Sequence, residues 1–237
     1  MKYLEVPALD AVNNILSWET PECKIFGRVE AYSCKSAGTD KKLFKQLETR
    51  YTTDLSTSQG SFSPEDHFHM GSPFGPMDQP SSRKTLFYLI GTLNSSFPDY
   101  DFSEVKPEQF SKQPSCQLVI NSVNNTLFNM GNERIVKDLR LWDVIDNIID
   151  LNDCNVYSYN PDMDDDPNGE EGSIWSLNYF FFNRNLKRMV FFSLRSLSPN
   201  APMQEGEDLD AFSDSEIDPN REGYAYQEYV MGDMEGL

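Results

Sequence analysis

The stretch that decides the fold is IWSLNYFFFNRNLKRMVFFSLRS, residues 174–196. Aromatic and β-branched residues dominate 174–182 and 186–196, which predicts two long strands. The three residues between them, Asn183-Arg184-Asn185, favour a tight turn. Successive strands joined by a short turn pair antiparallel, so this stretch predicts a β-hairpin within an antiparallel sheet.

The flanking sequence supplies more strands and several helices. Residues 154–159 predict a short strand, which an acidic turn at 160–172 joins to the hairpin. Residues 24–34 predict a half-buried strand, because Ile25, Val29 and Ala31 share one face. Apolar residues at helical spacing predict helices over 8–17, 40–50, 84–95, 116–129 and 138–151, with Asp40 and Asp138 as candidate N-caps. The fold class is therefore mixed α/β, one domain with an antiparallel sheet covered by helices.

Charge and composition divide the chain into four parts. The net charge is −18, but residues 173–200 carry four cations and no acid. Residues 51–82 are rich in Ser, Thr, Pro and Gly without Lys or Arg, and 201–237 contain eleven acids and one arginine. We predict a globular domain formed by 1–50 and 83–200, a disordered regulatory linker at 51–82 and a disordered acidic tail at 201–237.

The cysteines and the apolar runs predict an intracellular protein. The four cysteines (Cys23, Cys34, Cys116 and Cys154) form no CxxC pair. The N-terminus lacks the apolar stretch of a signal peptide, and no run approaches the roughly 18 apolar residues of a membrane span. We expect reduced thiols and no membrane partner.

Catalytic motifs are missing from the sequence. It contains no glycine-rich phosphate loop and no G-x-S-x-G elbow. The two histidines, His67 and His69, lie in the predicted linker, which is a poor place for a general base or a metal ligand. We expect no enzymatic activity, no cofactor and no metal.

Basic residues in the hairpin are the candidate partner-binding groups: Arg184, Lys187, Arg188 and Arg195. Because Phe191 and Phe192 lie among them, single-stranded nucleic acid could bind the hairpin 174–196. Alternation along the second strand gives two mixed faces and no clean aromatic platform. A core hairpin whose cationic groups extend to solvent is therefore favoured, with a protein-binding role for the exposed charges second and direct binding of nucleic acid as the alternative.

Serines in the linker and tail are candidates for regulatory phosphorylation. Ser63 and Ser72 precede prolines, Ser61 and Ser81 are further candidates, and Ser213 and Ser215 lie among acids. Each phosphate adds nearly two negative charges, which would weaken docking to an acidic partner. The acidic tail and the basic strand pair also suggest that the tail folds back on the hairpin.

Several blocks resemble the family of Maf-type repressors of RNA polymerase III transcription. MKYLEVPALDAVNNIL and GRVEAYSCK resemble its first box, and PDYDFS and LWDVID resemble its middle. Residues 157–196 resemble its last boxes. The resemblance covers residues 1–50 and 83–196, in the order of the family. The linker has no Lys or Arg, so it contains no basic nuclear-import signal of its own.

The resemblance implies a function that catalytic motifs could not indicate. Family members bind the polymerase III core enzyme and block its recruitment by the initiation factor that contains the TATA-binding protein and Brf. Synthesis of transfer RNA and 5S RNA then falls under nutrient limitation or stress. Nutrient-dependent kinases and a phosphatase control binding, and the phosphorylation state shifts the protein between nucleus and cytoplasm.

Overall fold

The computed structural model describes residues 1–35, 40–58, 72–161, 166–169 and 171–202, and only the backbone of residues 40 and 54–58. The middle of the predicted linker, 59–71, and the tail from residue 203 lie outside the described residues. His67, His69, Ser61, Ser63, Ser213 and Ser215 lie there as well.

A seven-stranded antiparallel sheet forms the centre of the described chain. Its strands are β1 (Lys2–Leu4), β2 (Trp18–Glu19), β3 (Lys24–Ser33), β4 (Phe110–Lys112), β5 (Asn155–Tyr159), β6 (Ser173–Asn183) and β7 (Arg188–Leu197). The strand order is β1-β3-β7-β6-β5-β4, and β2 also pairs with β3. The antiparallel sheet predicted from the hairpin is therefore present, and β3 lies directly beside β7.

Helices pack on both faces of the sheet. They are α1 (Pro7–Asn13), α2 (Asp40–Ser58), α3 (Pro80–Ser96), α4 (Cys116–Asn129), α5 (Arg134–Lys137) and α6 (Leu141–Ile149). One apolar cluster joins α1, α4 and α6 to one face, and a second joins α2 and α3 to the other. The central strands are buried on both faces, which explains their continuous apolar runs.

The β6–β7 hairpin has a longer loop than the sequence predicted. Asn183 pairs with Arg188, so residues 184–187 form the loop instead of 183–185. The Asn183 side chain accepts a hydrogen bond from the Leu186 amide at 2.9 Å and donates one to the Ile149 carbonyl at 2.9 Å. Lys187 then adopts a positive φ of 51°. Because Asn183 is held by these bonds, it ends β6 and does not enter the turn.

Both ends of the predicted linker are ordered, which corrects its boundaries. Helix α2 continues to Ser58. Residues 72–79 form turns in which the Phe74 ring packs 5.3 Å from the Tyr157 ring. The Arg83 guanidinium donates to the carbonyls of Met77 and Asp78 at 2.9 and 2.7 Å. A composition rich in Ser and Pro did not reveal these individual anchoring contacts.

The predicted helix over 138–151 is shorter in the structure: α6 covers Leu141–Ile149, and α5 ends before it at Lys137. Arg140 has a left-handed φ of 49° between α5 and α6, so no continuous helix passes through it. Asp138 follows α5 and pairs with Arg134 across 3.5 Å, and it is not the N-cap of α6. The local helical spacing was correct, but it did not show this break.

Candidate functional site

Three of the four predicted basic residues gather at one end of the sheet. Arg184 and Lys187 lie in the β6–β7 loop, and Arg188 begins β7. All three are exposed. They are joined by lysines from other elements, which the sheet order brings to the same place.

One of these lysines lies on β1, and another follows the end of β3, the strand that pairs with both β1 and β7. Ser33 of β3 lies opposite both Lys2 of β1 and Arg188 of β7. The Cys34 amide donates to the Lys187 carbonyl at 2.8 Å, which places the exposed Lys35 next to the hairpin loop. No local sequence pattern predicts this convergence, because it depends on the pairing of β1 and β7 with β3.

A third lysine comes from the first turns of α3. The Arg184 guanidinium donates to the Thr85 hydroxyl at 3.4 Å, next to the exposed Lys84. We call the six cations Lys2, Lys35, Lys84, Arg184, Lys187 and Arg188 the basic end. In a chain of net charge −18, six neighbouring cations create a strong local positive potential.

Side-chain contacts hold part of the basic end in position. Arg188 donates to the Ile148 carbonyl at 2.6 Å, near the C-terminus of α6, where the helix dipole favours a cation. Asn185 of the loop donates to the Asp153 carboxylate at 2.7 Å, so an acid borders the surface on that side. Arg188 therefore also stabilises the fold, whereas the lysines extend the charged surface.

Arg195 lies elsewhere, so the four predicted cations do not form one site. It is seven residues along β7 from Arg188, about 23 Å at the usual rise of a strand. Arg195 lines a cleft of about 340 Å³ together with Arg28 and Asp99. The four predicted partner-binding candidates therefore lie at two separate places, because β7 spans the whole sheet.

The cleft combines stacked arginines with a buried amide. The Arg28 guanidinium lies 4.3 Å from the centroid of the Phe97 ring, and that of Arg195 lies 5.3 Å from the Phe26 ring. The Asn168 side chain is 3% exposed, and its Nδ2 has no hydrogen-bond partner within the described chain. The cleft also borders the acidic turn 160–172, so its surroundings are less positive than the basic end.

The hairpin aromatics do not support the nucleic-acid alternative. Phe180, Phe181, Phe191 and Phe192 are all fully buried, and Phe182 is 2% exposed. Base stacking on a sheet requires exposed rings. The phenylalanines of the hairpin form core contacts, such as the 4.8 Å contact between the Phe180 and Phe191 rings.

The thiols of Cys34, Cys116 and Cys154 lie in surroundings that suppress ionisation. Burial raises the pKa of Cys34 to about 12, and burial with nearby acids raises that of Cys154 to about 12. Burial also raises the pKa of Cys116. A thiol must ionise to act as a nucleophile, so these environments disfavour such chemistry.

Two candidate phosphorylation sites lie in the described chain, in different settings. Ser72 is half-buried, and its hydroxyl accepts a hydrogen bond from the Phe74 amide at 3.2 Å. Ser81 is exposed in the first turn of α3, where its carbonyl accepts from the Thr85 hydroxyl at 3.0 Å. A kinase would therefore have to disturb local packing to reach Ser72, but not to reach Ser81.

The described residues also bear on metal binding and on membrane insertion. The described residues contain no group of three or more His, Cys, Asp or Glu side chains placed to hold a metal ion. None of the helices within the described ranges is both long and apolar enough to cross a membrane.

Comparison with known proteins identifies the family. A family model described as "Maf1 regulator" matches residues 25–193. The chain belongs to the Maf1 family. A Schizosaccharomyces pombe relative named "Repressor of RNA polymerase III transcription maf1" is 50% identical over 199 residues, covering 83% of each protein. A Dictyostelium discoideum relative named "Repressor of RNA polymerase III transcription" is 37% identical over 275 residues, covering 98% of this chain and 97% of the relative.

Solved Maf1 structures have the same fold. A crystal structure of citrus MAF1 aligns with a TM-score of 0.61 at 38% identity, covering 80% of this chain and 98% of that chain. A second crystal form aligns with a TM-score of 0.61 at 36% identity. The family resemblance found in the sequence and the mixed α/β fold with an antiparallel sheet are thus confirmed.

Proposed function

We propose that this chain represses RNA polymerase III transcription by binding the polymerase core enzyme. Membership of the Maf1 family is the observation that carries the proposal. Two relatives that align with most of this chain are named as repressors of that transcription. Bound repressor blocks recruitment by the initiation factor that contains the TATA-binding protein and Brf, so synthesis of transfer RNA and 5S RNA falls under nutrient limitation or stress.

The basic end is the proposed contact with an acidic surface of the polymerase. Its cations come from β1, the residues after β3, α3 and the hairpin, so they form a broad patch. Complementary charge accelerates encounter and selects partners, and it acts most strongly at low salt. The remainder of the chain is acidic and suits basic surfaces near the template cleft.

Phosphorylation is proposed to control this interaction. Nutrient-dependent kinases add charge to the linker and tail serines, and a phosphatase removes it. Added negative charge weakens docking to an acidic surface. The phosphorylated protein favours the cytoplasm, and the dephosphorylated protein enters the nucleus.

Transcription with purified components tests the proposal. Unmodified protein added to polymerase III, its initiation factor and a transfer RNA gene should reduce transcript synthesis, and a pull-down should retain polymerase III over polymerases I and II. Full transcription at saturating protein would refute repression.

The contact surface needs a separate variant. We expect the double variant Lys84→Glu, Lys187→Glu to lose most polymerase binding. The matched control is Lys106→Glu, Lys112→Glu, which reverses two exposed charges beside and on the edge strand β4. Equal loss in both variants would argue against the basic end as the contact and would point to net charge alone.

A further inference from the structure

Two acids border the basic end near the C-terminus of α6. The Asp153 carboxylate accepts a hydrogen bond from Asn185 of the loop, and Asp150 follows the Ile148 and Ile149 carbonyls that Arg188 and Asn183 bind. These two acids do not balance the six cations. The sequence from residue 203 onward contains eleven acids and one arginine, a net charge of −10. This terminal segment is the strongest local source of opposite charge that the chain offers.

We propose that the acidic tail docks on the basic end of its own chain, through the segment 213–222. The docking is a contact within one molecule, and only its effect on partner binding rests on the proposed function. It places Ser213 and Ser215, together with Asp214, Glu216 and Asp218, against the lysines of the basic end. The segment also contains Glu222 and a single arginine, Arg221.

The point where the chain leaves the domain determines which acids can reach. The Ser198 amide donates to the Gly172 carbonyl and the Ala201 amide to the Ser198 carbonyl, which holds the exit at the Leu197 end of β7. The basic end lies at the Arg188 end, about 30 Å away at roughly 3.3 Å per residue. A fully extended chain adds about 3.3–3.6 Å per residue. Glu205, Glu207 and Asp208 lie four to seven residues beyond Ala201, so their backbone reaches at most about 25 Å even when fully extended.

The chain between Ala201 and the segment 213–222 is long enough for the segment to reach the basic end. Its first residue lies twelve positions beyond Ala201, which allows roughly 40 Å when extended. A flexible chain of 12 to 21 residues has a typical end-to-end distance of about 17–27 Å. The required distance falls between these limits, so docking needs only moderate extension. A tether of this length supplies an effective concentration near the millimolar range, and weak exposed contacts then suffice.

The arginine cleft is a poorer site for the tail. It lies near the exit, but Asp99 lines it and the acidic turn 160–172 borders it through Asn168. Like charges so close would repel an acidic segment. The tail therefore passes the cleft and reaches the basic end.

Phosphorylation of the tail should strengthen this contact. Phosphate on Ser213 or Ser215 adds nearly two negative charges within the docking segment. Docking then strengthens, so tail phosphorylation covers the lysines that an acidic partner would otherwise bind.

Two matched variants of the full chain test the docking. The distal variant carries Asp214→Asn, Glu216→Gln and Asp218→Asn; the proximal control carries Glu205→Gln, Glu207→Gln and Asp208→Asn. Both remove three charges from the same tail. At about 20 mM salt, where screening is weak, we expect amide shifts of Lys35, Lys84 and 184–188 to change in the distal variant alone. Raising the salt to about 300 mM should produce the same changes in the unaltered chain.

Lysine acetylation gives an independent readout. We expect Lys84 and Lys187 to react at least twofold faster in the distal variant than in the unaltered chain, while Lys106 and Lys112 react equally. Replacing Ser213 and Ser215 by Asp should slow Lys84 and Lys187 further. The proposal is overturned by equal effects of the distal and proximal variants, by no effect of either, or by shifts at Arg28 and Asn168 in place of the basic end.

Discussion

Replacing Arg83 by methionine should destabilise the protein by about 2–3 kcal/mol. The Arg83 side chain is 9% exposed and binds both oxygens of Glu48, at 2.9 and 3.2 Å. It also donates to the carbonyls of Met77 and Asp78. Methionine preserves much of the volume but removes all four hydrogen bonds. One residue therefore links α2, α3 and the turns at 72–79.

The magnitude follows from what the substitution leaves behind. Removing one partner of a buried ion pair costs roughly 3–5 kcal/mol, because the other charge remains uncompensated. The Glu48 side chain is 30% exposed, so water relieves part of this cost. The two carbonyls lose charge-assisted bonds, which adds to the loss. About 2–3 kcal/mol is a large share of the 5–15 kcal/mol typical of a domain, and it corresponds to a fall in Tm of roughly 5–10 °C.

Urea unfolding followed by tryptophan fluorescence measures the effect. Lys84→Met is the matched control, because Lys84 is the exposed neighbour of Arg83 on α3 and should change stability by less than about 0.5 kcal/mol. A cycle with Glu48→Gln isolates the pair, since the double variant should lose less than the sum of the single variants. An Arg83→Met midpoint equal to that of the Lys84 control would refute the reasoning, and so would strict additivity in the cycle.

Two further substitutions and one change of pH should alter the stability of the protein. Gly27→Ala should destabilise the protein by about 1–3 kcal/mol through overpacking. A Cβ at this position would lie 2.8 Å from Leu194 Cδ1 and 2.9 Å from the Leu16 carbonyl oxygen. Thermal unfolding measures the loss of stability, and an unchanged Tm would contradict this prediction. Asn183→Ala should cost about 2 kcal/mol, because it removes the buried hydrogen bonds to the Ile149 carbonyl and from the Leu186 amide. It should also broaden the amide signals of 184–187, and sharp signals would count against it. Because burial raises the folded pKa of Cys34, stability should fall from about pH 9 towards 12, by up to about 1.4 kcal/mol per pH unit for this thiol. Cys34→Ala should reduce that slope, and an equal slope would exclude the thiol as its cause.

The sign of the alkaline effect follows from proton binding. Below the unfolded pKa of the thiol, both states hold the proton and stability is unaffected. Between the unfolded and folded values only the native state holds it, so unfolding releases a proton and rising pH favours the unfolded chain. Burial is the first cause of the shift at Cys34 and also at Cys154, so both thiols act in the same direction.

The sequence predicted the central hairpin because its signal is local. Aromatic and β-branched residues fill β6 and β7, and the structure buries them on both faces. The strand over 24–34 was predicted for the same reason. The short strands β1, β2 and β4 were not predicted, because two or three residues carry no alternation and form only by pairing with an edge already present.

Long-range placement decides which residues meet at the candidate site. Arg184 and Arg195 are close in sequence, but an extended strand separates them. Lys2 and Lys35 are far from the hairpin in sequence and lie beside it only through the order β1-β3-β7. Likewise, the turns at 72–79 resemble a linker in composition, and their order comes from distant contacts of Phe74 and Arg83. Local patterns predict elements; they do not predict which side chains meet.

The two-sided burial of the sheet restricts where a partner can bind. Helices cover both faces, so the phenylalanines that dominate the hairpin stabilise the core and are not available for recognition. Recognition must then use strand ends, loops and the outer sides of helices. Strand ends collect charge because chain reversals there expose polar side chains, and β3, β6 and β7 reverse or end at the basic end. A sheet that buries its apolar residues on both sides therefore leaves mainly charged side chains for a partner to contact. Added phosphate or a charged segment of the same chain can readily change the charge of such a surface.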